Sequence, residues 1–380
     1  MIRYADSMAK HSNSQSGFSL IEILIALLIF SMGLLGLAEL QLKSLKNQQG
    51  AYQKTLEGQA LQNQFEQQTG KSLLEVLIAL TLGIMITTMA GMVWSGIKAT
   101  DRQNEALARL QEQGRFLNHL VGHDIRQAGF IGCRRLDASF NVYNNINDSR
   151  YELNQSNALM IYKSNQWPSH LQKIALKDSD VLEIRYLDPM EMVSLEQAVQ
   201  KGKKIRVPLG SPLEKEKIGI ISDCSQAELF KVVAVKKTSS YEDLILSNDL
   251  RFSYAQDALV GLFVQRDYFL ADTGRHTLDG FPIHGLYRED LDEKKRELMS
   301  DVESLKIHQE EIPFKRLDSH LRRNDVIAHH QLTLYFLLKS PFRFSSQTTR
   351  YVFLNEEFVD PKGYLYKEWS IILTPRNLAY

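Results

Sequence analysis

Gly17-Phe18-Ser19-Leu20-Ile21-Glu22 and Gly70-Lys71-Ser72-Leu73-Leu74-Glu75 are two versions of one phrase. Each sets a glycine ahead of an apolar run and one glutamate five residues after that glycine. Phe18 to Leu37 carries no charge but Glu22, and Ser72 to Ile97 none but Glu75. As helices, both runs are long enough to cross a hydrocarbon core of about 30 Å. A lone carboxylate near the centre of such a segment costs about 2.5–3.5 kcal/mol. Placing one twice, at the same offset from a glycine, points to a function for it.

Outward from the second phrase, the pattern predicts one continuous helix. There is no proline from Ala99 to Ala128, and Leu107, Leu110, Leu117, Val121 and Ile125 recur close to helical spacing. A helix from Ser72 to about Gln127 would reach about 80 Å, apolar in its first half and amphipathic in its second. Gly129-Phe130-Ile131-Gly132-Cys133 ends it. In the other direction, residues 47–69 are rich in Gln and read as soluble helix or linker. The first run extends through Glu39 to Lys46, and residues 1–17 are polar. Arg3, Lys10 and His11 give that run the look of a secretory signal, but its glycine precedes the apolar stretch and no small-residue cleavage site follows.

Beyond Cys133 the period changes. Ala158–Tyr162, Val181–Tyr186, Leu229–Val235, Leu259–Phe269, Gln331–Leu338 and Trp369–Leu373 read as strands, several alternating apolar with polar as half-buried antiparallel strands do. Arg288 to Met299 reads as a charged, solvated surface helix. A long helix followed by a run of strands is an α+β arrangement.

The chain has 380 residues, 24% of them charged, and a net charge of zero. That makes no general case for nucleic acid as a partner, which is left open. Cys133 and Cys224 both follow the second run. They would pair if that region is exported to an oxidising compartment, and otherwise stay buried thiols. Neither has a Cys or His at metal-ligand spacing.

The phrase at Gly17 resembles the class III signal of type IV pilins and pseudopilins. The resemblance implies an α+β pilin fold: a long transmembrane and amphipathic helix, then a mainly antiparallel β-sheet head. It also implies cleavage between Gly17 and Phe18 by a prepilin peptidase, methylation of the new N-terminus, an inner-membrane anchor, and a Glu22 that directs subunit docking in a filament. Gly70, Lys71 and Glu75 hold the corresponding places in the second phrase, with Lys71 where the family has Phe.

Residues 17 to about 68 look like the start of a PilV-type minor pilin, through Met32-Gly33-Leu34-Leu35-Gly36-Leu37-Ala38 and Leu40-Gln41-Leu42-Lys43-Ser44-Leu45. Residues 70–380 look like a PilW-type minor pilin. The matching pieces are Asn104 to Phe116, Asp124-Ile125-Arg126-Gln127-Ala128-Gly129-Phe130 with Gly132-Cys133, and Ser222-Asp223-Cys224. Later echoes are Tyr268-Phe269-Leu270-Ala271, Leu286-Tyr287-Arg288, Leu298 to Leu305 and Leu373 to Asn377. The chain therefore resembles two neighbouring minor pilins joined.

The expected parts are a cytoplasmic leader over 1–17, a first membrane helix over 18–46, a polar linker or helix over 47–70, a second membrane helix turning amphipathic over 71–128, and a periplasmic β-rich head over 129–380. Expected partners are other minor pilins, the major pilin, prepilin peptidase and inner-membrane lipid. The expected role is pilus initiation or a place at the tip; a type II secretion pseudopilin or a tip-borne binding module are the alternatives. If both runs cross and the first enters from the cytoplasm, the second returns there. Lys43, Lys46, Lys54 and Lys71 between the runs favour a cytoplasmic middle segment, which suits export of the head and displaces the first run.

No catalytic set, metal site or cofactor motif assembles. His119 and His123 stand four apart on the helix without the Glu of a His-Glu-x-x-His motif. His329-His330, with His320 and Asp325, lack a known ligand spacing. Lys201-Gly202-Lys203-Lys204 reads as a solvated turn. There is no Gly-x-Ser-x-Gly, P-loop or dinucleotide fingerprint.

Overall fold

Helix α1 runs unbroken from Leu61 to Gln127, 67 residues. It begins about ten residues ahead of the expected start, so the end of the Gln-rich segment is helix rather than linker. No proline interrupts that stretch, and a single Gly70 in a helix interior costs only about 1 kcal/mol. The computed structural model describes residues 33, 39–41, 43, 61–137, 139–146, 148, 150–164, 166–291, 295–314, 327–343 and 348–378, excepting the side chains of 61–73, 311–314 and 327–330. The leader and nearly all of the first apolar run, Gly17, Phe18 and Glu22 included, lie outside the described residues. The chain divides into two compact units, Met1–Val93 and Trp94–Tyr380.

In the second unit α1 stops at Gly129, whose φ of 71° suits a residue without a side chain. The Phe130 amide closes the last turn on the Gln127 carbonyl at 2.8 Å. The Gly129 amide crosses to the Arg185 carbonyl at 2.9 Å, tying the helix end to a strand.

The strands follow in chain order: β1 (Tyr143–Asn144), β2 (Leu159–Tyr162), β3 (Val181–Ser194), β4 (Lys204–Pro208), β5 (Ile218–Ser222), β6 (Ala227–Lys237), β7 (Tyr241–Leu246), β8 (Leu259–His276), β9 (Pro282–Asp290) and β10 (Arg296–Ser300). These form one 10-stranded sheet, with β8 its spine. β3 lies along one edge of β8; β5 and then β9 share the other. All the pairings are antiparallel except the short β1–β6 contact. Three further strands, β11 (Val302–Phe314), β12 (Ile327–Arg343) and β15 (Tyr364–Leu373), make a second antiparallel sheet, while β13 (Thr349–Phe353) and β14 (Glu356–Asp360) form a hairpin. The fold is α+β, a long helix followed by antiparallel sheet.

The main core lies where α1 packs on both sheets. Leu110, Leu117, Val121, Ile125 and Ala128 meet Leu182, Tyr186 and Leu270 from the large sheet and Leu305, Leu334 and Phe336 from the small one. In the small sheet the register stacks two rows beneath the helix, Leu305–Phe336–Trp369 and Ile307–Leu334–Ile371. Burying a side chain of this size contributes about 1.5–3 kcal/mol. Ala106, not Leu107, is the fully buried residue at the start of this face.

The expected surface helix over Arg288–Met299 is absent. Arg288 lies in β9 and Met299 in β10, paired as Tyr287↔Glu297 and Leu286↔Met299. Helix propensities differ by only a few tenths of a kcal/mol per residue among these residue types. Pairing buries Leu286 and Met299 in the main core, which outweighs that preference.

Candidate functional site: the apolar helix and its seat on the head

From Leu74 to Ile97, α1 shows apolar side chains all round. Ile84 is 63% exposed and Met92 73%; of the large apolar residues here only Val93 is partly covered. Among the described residues this is the one helix long and apolar enough to cross a membrane. A helix apolar on every side is stable only inside a bilayer or among other apolar helices. Its polar groups turn inward on the helix itself. The Thr81 hydroxyl donates to the Ile78 carbonyl at 2.9 Å, the Thr88 hydroxyl to the Met85 carbonyl at 2.8 Å, and the Thr87 hydroxyl to the Gly83 carbonyl. Such back-bonding satisfies a hydroxyl where no water can. At the end of the run the Lys98 ammonium lies 5.4 Å from the Trp94 ring centre, a pairing suited to a membrane–water boundary.

Glu75 is exposed near the start of this stretch, and Gly70 and Lys71 lie within α1 rather than ahead of it. The helical residues of the first run that are described, such as Gly33 and Leu40, are exposed too.

Further along, the helix is locked onto the head at two places. At Gly114 a Cβ would stand 2.1 Å from Trp369 Cδ2, so the indole of β15 presses directly on the helix backbone. Ten residues on, Asp124 points into the core. Arg266 Nη1 donates to both its oxygens at 2.8 Å, the Tyr268 hydroxyl to Oδ2 at 2.5 Å and the Tyr186 hydroxyl to Oδ1 at 3.2 Å. Burial pushes the Asp124 carboxyl up, but Arg266, Tyr268 and His123 together hold it below the usual carboxylate value. Burial and the Asp124 charge push both tyrosine hydroxyls well above theirs. A buried charge is tolerated only when paired and hydrogen-bonded in this way. The sequence carried a signal for it: Asp124 falls on the same helical face as Leu117, Val121 and Ile125.

Cys133 and Cys224 form a disulfide across 91 residues, with Cα atoms 5.4 Å apart. It links the segment after α1 to the β5–β6 turn, where Asp223 Oδ1 accepts the Ser225 and Gln226 amides at 2.7 and 2.9 Å. Nearby the Ser222 hydroxyl donates to the Ile131 carbonyl.

On the sheet face away from α1, register places Glu183, Asp267 and Glu289 side by side on β3, β8 and β9. The Glu183 carboxylate accepts from Tyr162 at 2.9 Å and Arg185 at 2.6 Å. Asp267 Oδ2 meets His170 Nε2 at 3.0 Å, while its Oδ1 is buried without a partner. Burial, with Glu183 and Glu289 alongside, pushes the Asp267 carboxyl up to about 6 against the pull of His170. The bond to Asp267 raises the His170 imidazole.

His119 and His123 are exposed on α1, and the Lys201 cluster is a turn leading into β4, where Lys204 pairs with Asp243 at 3.0 Å. No group of His, Cys, Asp and Glu among the described residues could hold a metal ion. His320 and Asp325 lie outside the described residues, as do the side chains of His329 and His330.

Residues 12–38 match the prokaryotic N-terminal methylation motif. No curated protein matches the chain. The motif is a prepilin signal of the type IV pilin kind, and it marks a structural, pilin-like protein rather than an enzyme. With the long apolar helix it makes this a membrane-anchored chain bearing a globular head, of the kind that associates with other pilins in a pilus or a secretion system.

Proposed function

We propose that this chain is a minor pilin of a type IV pilus, acting in the complex that starts the filament or caps its tip. One observation carries the reading. A prepilin signal over residues 12–38 stands in a chain whose later helix is apolar on every side and then seats on a β-rich head. In a filament, subunits meet through such helices, and Gly83, Gly91 and Gly96 have open space where a side chain would be, leaving room for a neighbouring helix.

In this reading 1–17 is a cytoplasmic leader cut off between Gly17 and Phe18. Residues 18–46 are a PilV-like membrane helix, and 47–70 join it to the PilW-like remainder, with 71–128 as its helix and 129–380 as its head. Glu22 and Glu75 are the docking carboxylates, each about 6 Å of helix rise from the amino group that a cut would create. The head faces the periplasm, where a disulfide persists. For that, the second run keeps its N-terminus in the cytoplasm, and the first is removed by a cut after Gly70, crosses in the opposite sense or does not span. Partners are other minor pilins, the major pilin, prepilin peptidase and inner-membrane lipid.

Two measurements test this. Co-expression with a prepilin peptidase should yield, by N-terminal mass spectrometry, a product starting at Phe18, and a bulky residue at Gly17 should block the cut. Met1 retained beside an active peptidase would remove the basis of the proposal. Deleting the coding region should reduce surface pili while leaving type II secretion intact; the reverse would make the chain a pseudopilin.

A further inference from the structure

Beside the C-terminal end of α1 lies an open cleft of about 470 Å³. Arg126, Arg135 and Arg376 are among the residues that line it, with Ile372, Leu373 and Leu378 as its apolar part, and no acidic residue lines it. Other arginines of the head are matched: neighbouring Arg134 pairs with Asp137 at 3.8 Å, and Arg266 with Asp124 at 2.8 Å. Among the described residues no carboxylate lies within ion-pair distance of the three cleft arginines. Three arginines along one cleft with no acidic residue among its lining give it positive charge, which an anion would offset.

The walls are fixed rather than loose. The Asn377 amide donates to the Arg126 carbonyl at 3.1 Å, pinning the last segment to the helix end. Leu378 bridges to Leu136 and fills the space beside Gly129. Arg126 lies back along the helix over Gly122, its Nη1 3.5 Å from where a Cβ would stand. Arg135 and Arg376 are exposed, and Ile372 is 62% exposed. Guanidinium forks match carboxylate and phosphate oxygens in bidentate geometry, and the uncovered apolar floor favours a ligand with a non-polar body.

We propose that this cleft binds an organic anion, a phosphate or carboxylate head on an apolar body. The full-length chain in neutral-detergent micelles would be titrated calorimetrically with phenyl phosphate, benzoate and inorganic phosphate. Phenyl phosphate or benzoate should bind one to one and more tightly than inorganic phosphate, the tighter of the two naming the head group. Arg135→Gln and Arg376→Gln, both exposed and outside the core, should each weaken binding about tenfold. Arg134→Gln should leave it unchanged, with circular dichroism confirming the fold of all three. No binding of either organic anion, or equal loss in Arg134→Gln and Arg135→Gln, would overturn the assignment.

Discussion

At Gly114 one hydrogen atom decides whether the helix can touch the sheet. A methyl group there would overlap the Trp369 ring, and overpacking of this kind costs about 1–3 kcal/mol. Gly114→Ala should lower the unfolding free energy from denaturant titration by that much, and Trp369→Leu in the same chain should restore part of it; additive losses would mean the two do not touch. Asp267 sets a different kind of limit. Its folded pKa of about 6 lies above its ordinary value of 3.8, so the folded head binds its proton more tightly than the unfolded chain does. The stability this contributes is fully present below pH 3.8 and is lost as the pH rises through about 6. His170 is also raised, so its contribution is likewise lost on the alkaline side, as the pH passes its folded value. Asp124 has the opposite sign: its lowered carboxyl stabilises above 3.8 and loses that contribution as the pH falls below it. Mild acid should therefore strengthen the head until Asp124 titrates. Asp267→Asn should stabilise it at pH 7.5 by an amount on the order of 1–3 kcal/mol and flatten the slope between pH 4 and 6. An unchanged slope in thermal melts would show that Asp267 is not its source.

At the scale of elements, α1 joins two chemistries in one run of helix. Its early part offers apolar surface all round, and its later part a single buried face with Ala106, Leu110, Leu117, Val121 and Ile125. The backbone stays helical because every N–H and C=O is satisfied along the chain itself, whatever covers the side chains. After Gly129 the chain must be held by contacts between strands far apart in sequence, and the Cys133–Cys224 bridge shortens the search. Closing a loop of 91 residues stabilises by about 4–5 kcal/mol in the chain-entropy account. Cys133→Ser should lower the unfolding midpoint accordingly, and reductant should bring the wild-type chain down to the same value. A wild-type midpoint indifferent to reductant would show that the two thiols are not paired in the mature protein.

For the whole molecule the decisive question is which side of the membrane the head occupies. If, as proposed, the helix that feeds the head keeps its N-terminus in the cytoplasm, a periplasm-dependent reporter joined after Tyr380 should be active. Activity only of a cytoplasm-dependent reporter would mean that the two apolar runs have inverted the head, leaving it where neither a disulfide nor a pilus role could be sustained.

Much of this molecule can be read from local pattern alone. The two glycine–glutamate phrases, the apolar length and the helical repeat to Gln127 need only neighbours within a turn or two, so the anchor and the α+β class were legible. Six strands were legible too, as short apolar or alternating runs set between polar stretches. The strands β4, β5, β7, β11, β13 and β14 were not singled out. Each is short, fully buried or strongly charged, and takes its conformation from a partner strand rather than from its own period. Arg288 to Met299 misled for that reason: its helix-forming residues were overruled by the pairing of Leu286 with Met299. Asp124 with Arg266, Gly114 with Trp369, and the cleft lined by Arg126, Arg135 and Arg376 bring together residues up to 255 positions apart in sequence. The sequence by itself determined the anchor, because membrane length and helical period are properties of adjacent residues. Only the tertiary structure decided the seat, the carboxylate row and the cleft, because burial and charge pairing arise between residues that the chain's local pattern never brings together.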